Sequence, residues 1–190
     1  MNSLKRLILI LPIFLLLVLV SPLKVDAAKK VEYIDTKVFE GSGYEYGWNV
    51  THDSNDNIFM IGSFQGTVDF DFTGGIDNHT SNGSYDEFIT KVNSDGTYGW
   101  TKTIGNIGYN RGIQSVKTGL SNNIYVTGLF GGTIDFDFTG GTDNRTSNGG
   151  DDIFLTKINS DGTYGYTKII GGTGNEYPST LTAIDSSINL

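Results

Sequence analysis

Residues 66–75 read GTVDFDFTGG, and residues 132–141 read GTIDFDFTGG. Two acids interleaved with two phenylalanines and closed by a glycine pair make an unusual phrase. Its return 66 positions later decides how the rest of the chain is read. The match spreads outward at the same offset: Asn57 pairs with Asn123, Gly62 with Gly128, Asp86 with Asp152, Lys91 with Lys157 and Gly105 with Gly171. From 57 to 108 about two positions in three are identical, and most of the rest are swaps of like kind, such as Phe59 for Tyr125 and Trp100 for Tyr166. Self-similarity at a fixed period marks an array whose single unit cannot bury its apolar face alone.

The repeat is ragged at both ends. IDTKVFEGSGYEYGWNV (34–50) lines up with GWTKTIGNIGYNRGIQS (99–115) at an offset of 65, so the chain joins the array near the end of a unit. GGTGNEYPSTLTAIDSSINL (171–190) begins a further unit. The expected organisation is a partial unit 31–48, full units 49–112 and 113–177, and a partial unit 178–190.

Four strand signals recur in each unit: the apolar run NIFMIGSF (57–64), then alternating Thr67 to Phe72, FITKV (88–92) and YGWTKTI (98–104). A short segment around Asn49 to His52, repeated at Gln114 to Thr118, precedes the apolar run. Asn-Ser-Asp-Gly at 93–96 and 159–162 supplies the positive φ that a hairpin turn requires. After residue 27 nothing has helical periodicity. The expectation is an all-β fold of antiparallel four-stranded sheets, with Thr67 to Phe72 extending the second strand or its hairpin. The long polar stretches 74–87 and 140–153 are the loops where a ligand surface is expected.

The first residues have a basic start (Lys5, Arg6), an apolar run from Leu7 to Val20 and small residues at Ala27 and Ala28, the pattern of a secretory signal peptide. A signal-peptide helix over 1–27, followed by a repeat region over 28–190, is therefore expected. The apolar run is shorter than the roughly 20 residues of a membrane-crossing helix, so any membrane association is expected only through an uncleaved leader. The chain carries a formal net charge of −8, and residues 1–27 hold three of its cations. Nucleic acid is an unsuitable partner, since phosphate binding needs clustered Lys and Arg. Without any cysteine there is no disulfide framework, and a packed core must hold the fold.

NIYVTG (123–128), TSNGG (146–150), DDIFLTKINSDGTYGY (151–166) and KIIGG (168–172) together resemble the bacterial seven-bladed β-propeller repeat family, the SBBP type. The resemblance covers nearly all of 34–190 and implies exported arrays of four-stranded blades, secreted or exposed at the cell surface. It departs in two respects: the unit is longer than a common blade of about 40 to 50 residues, and two complete units fall short of the about four to eight that close a propeller. The fold expected is thus an incomplete propeller of two full and two partial units.

On a strand, successive side chains point to opposite faces. Phe70 and Phe72 then share one face with Val68, at the interface between blades, while Asp69 and Asp71 face out; this makes the repeated phrase a blade joint. The second reading is a hard-cation site in which Asp69, Asp71 and Asp77, and again Asp135, Asp137 and Asp143, offer oxygens to calcium. The segment Asp53 to Asn57 also looks like a calcium loop, but its counterpart from Gly119 has no carboxylate and a polar turn is expected. His52 and His79 do not recur, and both are expected to be exposed polar residues; no zinc site follows from them. A single site in a propeller uses positions that differ between blades, and here these include Tyr85 against Asp151, Glu87 against Ile153 and Asn110 against Glu176. Glu87 and Glu176 are the unusual acids. The function expected is a non-enzymatic structural or binding module with a protein or carbohydrate partner, needing no cofactor and open to self-association through its blade edges. The alternative is a propeller enzyme, a polysaccharide hydrolase using such acids or a quinoprotein, whose aromatic blade motif KINSDGTYGYTKIIGG resembles.

Overall fold

The computed structural model describes residues 36–105 and 112–177. The expected signal-peptide helix, residues 31–35 and the partial unit 178–190 lie outside the described residues. In chain order the strands are β1 (Glu40–Gly41), β2 (Glu45–His52), β3 (Ile58–Phe64), β4 (Thr67–Asp69), β5 (Asn78–Thr80), β6 (Asp86–Val92), β7 (Tyr98–Ile104), β8 (Ile113–Thr118), β9 (Ile124–Phe130), β10 (Thr133–Asp135), β11 (Asn144–Thr146), β12 (Asp152–Ile158) and β13 (Tyr164–Ile170). The described residues contain no α-helix, only a short 3-10 turn at Leu120–Asn122.

Each repeat folds into an antiparallel four-stranded sheet, β2-β3-β6-β7 in the first blade and β8-β9-β12-β13 in the second. The Asn-Ser-Asp-Gly turns close the outer hairpins. Gly96 and Gly162 sit at φ 84° and 87°, and the Gly96 N–H donates to the Asn93 carbonyl at 2.8 Å. Gly62 is required for a different reason: a Cβ there would lie 2.0 Å from the Tyr46 carbonyl oxygen and 2.5 Å from the Phe88 ring. Gly128 meets the Gly112 carbonyl and Phe154 in the same way.

The repeated phrase does not extend the second strand. The chain turns at Gly66, at φ 77°, whose N–H donates to the Ser81 hydroxyl at 3.0 Å, and β4 pairs with β5 in a separate ribbon. β10 and β11 do the same in the second unit. The long unit is therefore a four-stranded blade with a ribbon inserted between its second and third strands. Phe70 packs on Phe64 and Phe88 of its own blade, at centroid distances of 5.5 and 5.0 Å, and Phe136 packs likewise on Phe130 and Phe154. Phe39, just before β1, joins the first ribbon 5.4 Å from Phe70, and β1 pairs with β4. Ile104, the counterpart of Phe39, shares a buried cluster with Ile134 and Phe136 of the second ribbon. The end of one unit thus helps seat the ribbon of the next.

The blades stack through apolar faces. The front face of the first blade carries Phe59, Ile61, Ile89 and Ile104, which register across the strands. It forms one core with Val116, Ile124 and Val126 on the back face of the second. Polar links tie the adjoining edges: the Thr118 hydroxyl donates to the His52 carbonyl at 2.6 Å, and the Ser54 hydroxyl to Asn122 Oδ1 at 2.8 Å. Among the described residues the two sheets do not close into a ring.

Candidate binding site

The ribbon acids are held by their own loop. Asp69 Oδ1 accepts the N–H groups of Asp71 and Asp77 at 3.0 and 2.9 Å, and Asp135 Oδ1 accepts those of Asp137 and Asp143 at 3.0 and 2.8 Å. Asp71 accepts the N–H and hydroxyl of Thr73, and Asp137 those of Thr139. These bonds hold the Asp71 and Asp137 carboxyls below the usual range, because they favour the charged form. Asp77 accepts from the Tyr98 hydroxyl and Asp143 from the Tyr164 hydroxyl. Burial, with the aspartate bond adding to it, pushes the Tyr164 phenol up to about 12. Among the described residues no three Asp, Glu or His side chains group closely enough to hold a metal ion.

His79 is half-buried rather than exposed. Its ring lies edge-on to Phe70 with centroids 5.6 Å apart, and its Nε2 lies 3.3 Å from Asp77. Arg145 reaches Asp143 with its Nε at 2.7 Å, so the two unlike residues do one task, placing a cationic or polar partner beside the loop acid. His52 is exposed. Asp53 builds a polar turn: its carboxylate accepts the N–H groups of Asn55 and Asn57 and the Asn57 side-chain amide, all at 2.9 Å. Burial alone would raise its carboxyl, but these bonds outweigh it and lower it. In the second blade the same turn is made without a carboxylate, by Ser121 and Asn122 at φ 62° and 58°.

The two unusual acids differ. Glu176 accepts the Gly172 N–H at 3.1 Å and serves its own loop. Glu87 is buried on the front face of the first blade where the chain passes to the second. Burial pushes it up to about 8; the Ile113 N–H draws it partly back, and Asp86 adds to the rise. One carboxylate oxygen of Glu87 has no hydrogen-bond partner. Asp86 is bound separately, accepting the N–H and side-chain amide of Asn82 at 3.1 and 3.3 Å.

Above Glu87 lies an aromatic shelf that the sequence reading did not assemble. Tyr46 and Trp48 stack with centroids 5.7 Å apart and planes at 17°, and Tyr85 lies 6.0 Å from Tyr46. Tyr46 and Trp48 are two residues apart and share a face by ordinary alternation, while the bulge leaves Trp48 as the extra residue between Gly47 and Asn49, without a partner position on β3. The Trp48 Nε1–H donates to the Ser63 hydroxyl at 3.2 Å, and Ser63 stands opposite both Tyr46 and Glu87 in the sheet register. Trp48 nevertheless keeps 55% of its surface exposed. Tyr85 and Glu87 are positions that differ between the units. Trp48 carried the same signal, since Gln114 replaces it in the second unit.

No family model and no solved structure matches the chain. It is similar to a WD repeat-containing protein of Acanthamoeba polyphaga mimivirus, at 29% identity over 148 residues. That match covers 72% of this chain and 11% of the viral protein. The four-stranded, all-β repeats together with a WD repeat-containing relative fit a β-propeller repeat family.

Proposed function

We propose that this chain is a propeller-repeat binding module, of the kind its SBBP-like motifs resemble, and that it recognises a protein segment through the Tyr46–Trp48–Tyr85 shelf. The observation that carries the reading is an exposed, stacked aromatic pair on one face of β2, its tryptophan held by a hydrogen bond, at positions the second repeat does not share. Tyr and Trp give large contact area at low entropic cost and dominate binding hot spots. A WD repeat-containing relative supports a protein partner. A non-enzymatic role is supported by the separate engagement of the acids: Glu87 is buried, while Glu176 and Asp86 are bound within their own loops. A location outside the cytoplasm, expected from residues 1–27, belongs to the same proposal.

The test is to pan a random peptide library on the chain and on Trp48→Ala, with soluble oligosaccharides titrated alongside. Selected peptides should quench tryptophan fluorescence and lose about tenfold or more in affinity on Trp48→Ala, the loss of a hot-spot residue. Equal binding to both proteins would remove the shelf from the site. Quenching by oligosaccharides alone would reassign the partner.

A further inference from the structure

Three side chains beneath and within the shelf change together between the repeats. Trp48, Ser63 and Glu87 of the first unit correspond to Gln114, Leu129 and Ile153 of the second. Ser63 and Glu87 stand directly opposite across β3 and β6, as Leu129 and Ile153 do across β9 and β12. Where the second blade has an apolar pair, the first has two polar groups, each only 5% exposed. Their hydrogen-bonding requirements are complementary. Ser63 Oγ accepts the Trp48 Nε1–H at 3.2 Å, and its own hydroxyl proton has no acceptor among the described residues. The Glu87 carboxylate takes the Ile113 N–H, and its Oε2 has no partner. Side chains directly opposite in an antiparallel pair have Cβ atoms about 4.5–5.5 Å apart, so the free donor and the free acceptor are within a side-chain rotation of each other.

We infer that Glu87 is a positioning residue for the aromatic shelf: ionised, it accepts the Ser63 hydroxyl, which fixes the Trp48 indole and tightens the grip on the partner segment. This role presupposes that the shelf is the binding site proposed above. Burial keeps Glu87 protonated up to about pH 8. A neutral carboxyl offers its own O–H, and Ser63 Oγ then divides its lone pairs between two donors. A buried carboxylate instead requires a donor, and the Ser63 hydroxyl is the one still unused. A hydroxyl that donates to a charge accepts more strongly, so the Trp48 bond strengthens with it. The other titratable or charged groups around Glu87 are Asp86 on its own strand, Lys102 along β7, and the Tyr46 and Tyr85 phenols of the shelf. Lys102 lies over the Trp100 ring at 5.9 Å, and Asp86 only adds to the rise of Glu87.

The test is the tryptophan emission of the full chain between pH 6 and 9, with Trp48→Ala as the blank for Trp100, the other tryptophan. Emission from Trp48 should change in one step near pH 8 in the parent and stay flat in Glu87→Gln and in Ser63→Ala. Thermal melts assign the step, because the pH dependence due to Glu87 should persist in Ser63→Ala, which keeps the carboxyl, and vanish in Glu87→Gln. Histidine-free peptides selected for Trp48 dependence should bind the parent about two- to tenfold more tightly at pH 9 than at pH 6.5, the effect of one hydrogen bond, and each variant equally at both. The parent's own profile decides the matter even where a variant fails to fold. A flat profile in the parent, or a step that survives in Ser63→Ala, overturns the inference. Peptides that bind the parent equally at both pH values overturn it while leaving the shelf as the binding site. A step with no Trp48-dependent peptide supports the positioning of Trp48 by Glu87 and overturns the shelf as the binding site.

Discussion

Glu87 shows how one residue carries both a cost and a signal. Its carboxyl is raised to about 8 chiefly by burial, so the folded state binds a proton that the unfolded chain, with an ordinary value of 4.5, releases. Stability from this group is full below about 4.5 and declines as pH rises towards and through 8. Glu87→Gln should therefore leave the melting temperature nearly unchanged at pH 5 and raise it at pH 8.5. A domain of this size moves by about 2–4 °C for each kcal/mol. A thermal melt series against pH checks this, and an equal shift at both values would assign the effect to packing. The sequence exposed Glu87 as a non-repeated acid, but it could not show burial, because its counterpart Ile153 is only half-buried.

At the scale of the element, the ribbon is where sequence and structure diverged most. Alternation correctly grouped Val68 with Phe70, both fully buried, but Phe72 is only half-buried, against Tyr98 at 6.1 Å. The acids lie opposite these buried side chains, Asp135 exposed and Asp69, Asp71 and Asp137 half-buried, but their oxygens also collect the loop's N–H groups, which a two-residue period cannot express. Asp135→Ala removes two such bonds and should destabilise the protein by about 1–3 kcal/mol in urea unfolding. Added calcium or a chelator should leave the parent's melting temperature unchanged. A rise of several degrees with calcium would instead make the ribbon acids a cation site.

For the whole molecule, order follows from which faces are covered. All seven residues of β9 are buried, whereas β13 alternates and ends at the exposed Ile170. Amide exchange should therefore be slowest in β9 and faster in β13. The sequence alone determined the period, the strand identities, the glycine turns and the four-stranded sheet, because each rests on local alternation and local φ requirements that the repetition states twice. Only the tertiary structure decided that DFDFTGG forms a ribbon on its own blade, that Trp48 is the bulged residue bonded to Ser63 beside Tyr46, and that Val50 and Ile170 are exposed where their counterparts Val116 and Ile104 are buried. Those outcomes depend on which residues become neighbours across strands and between blades, and two units of nearly the same sequence acquire different burial because only one junction lies between them.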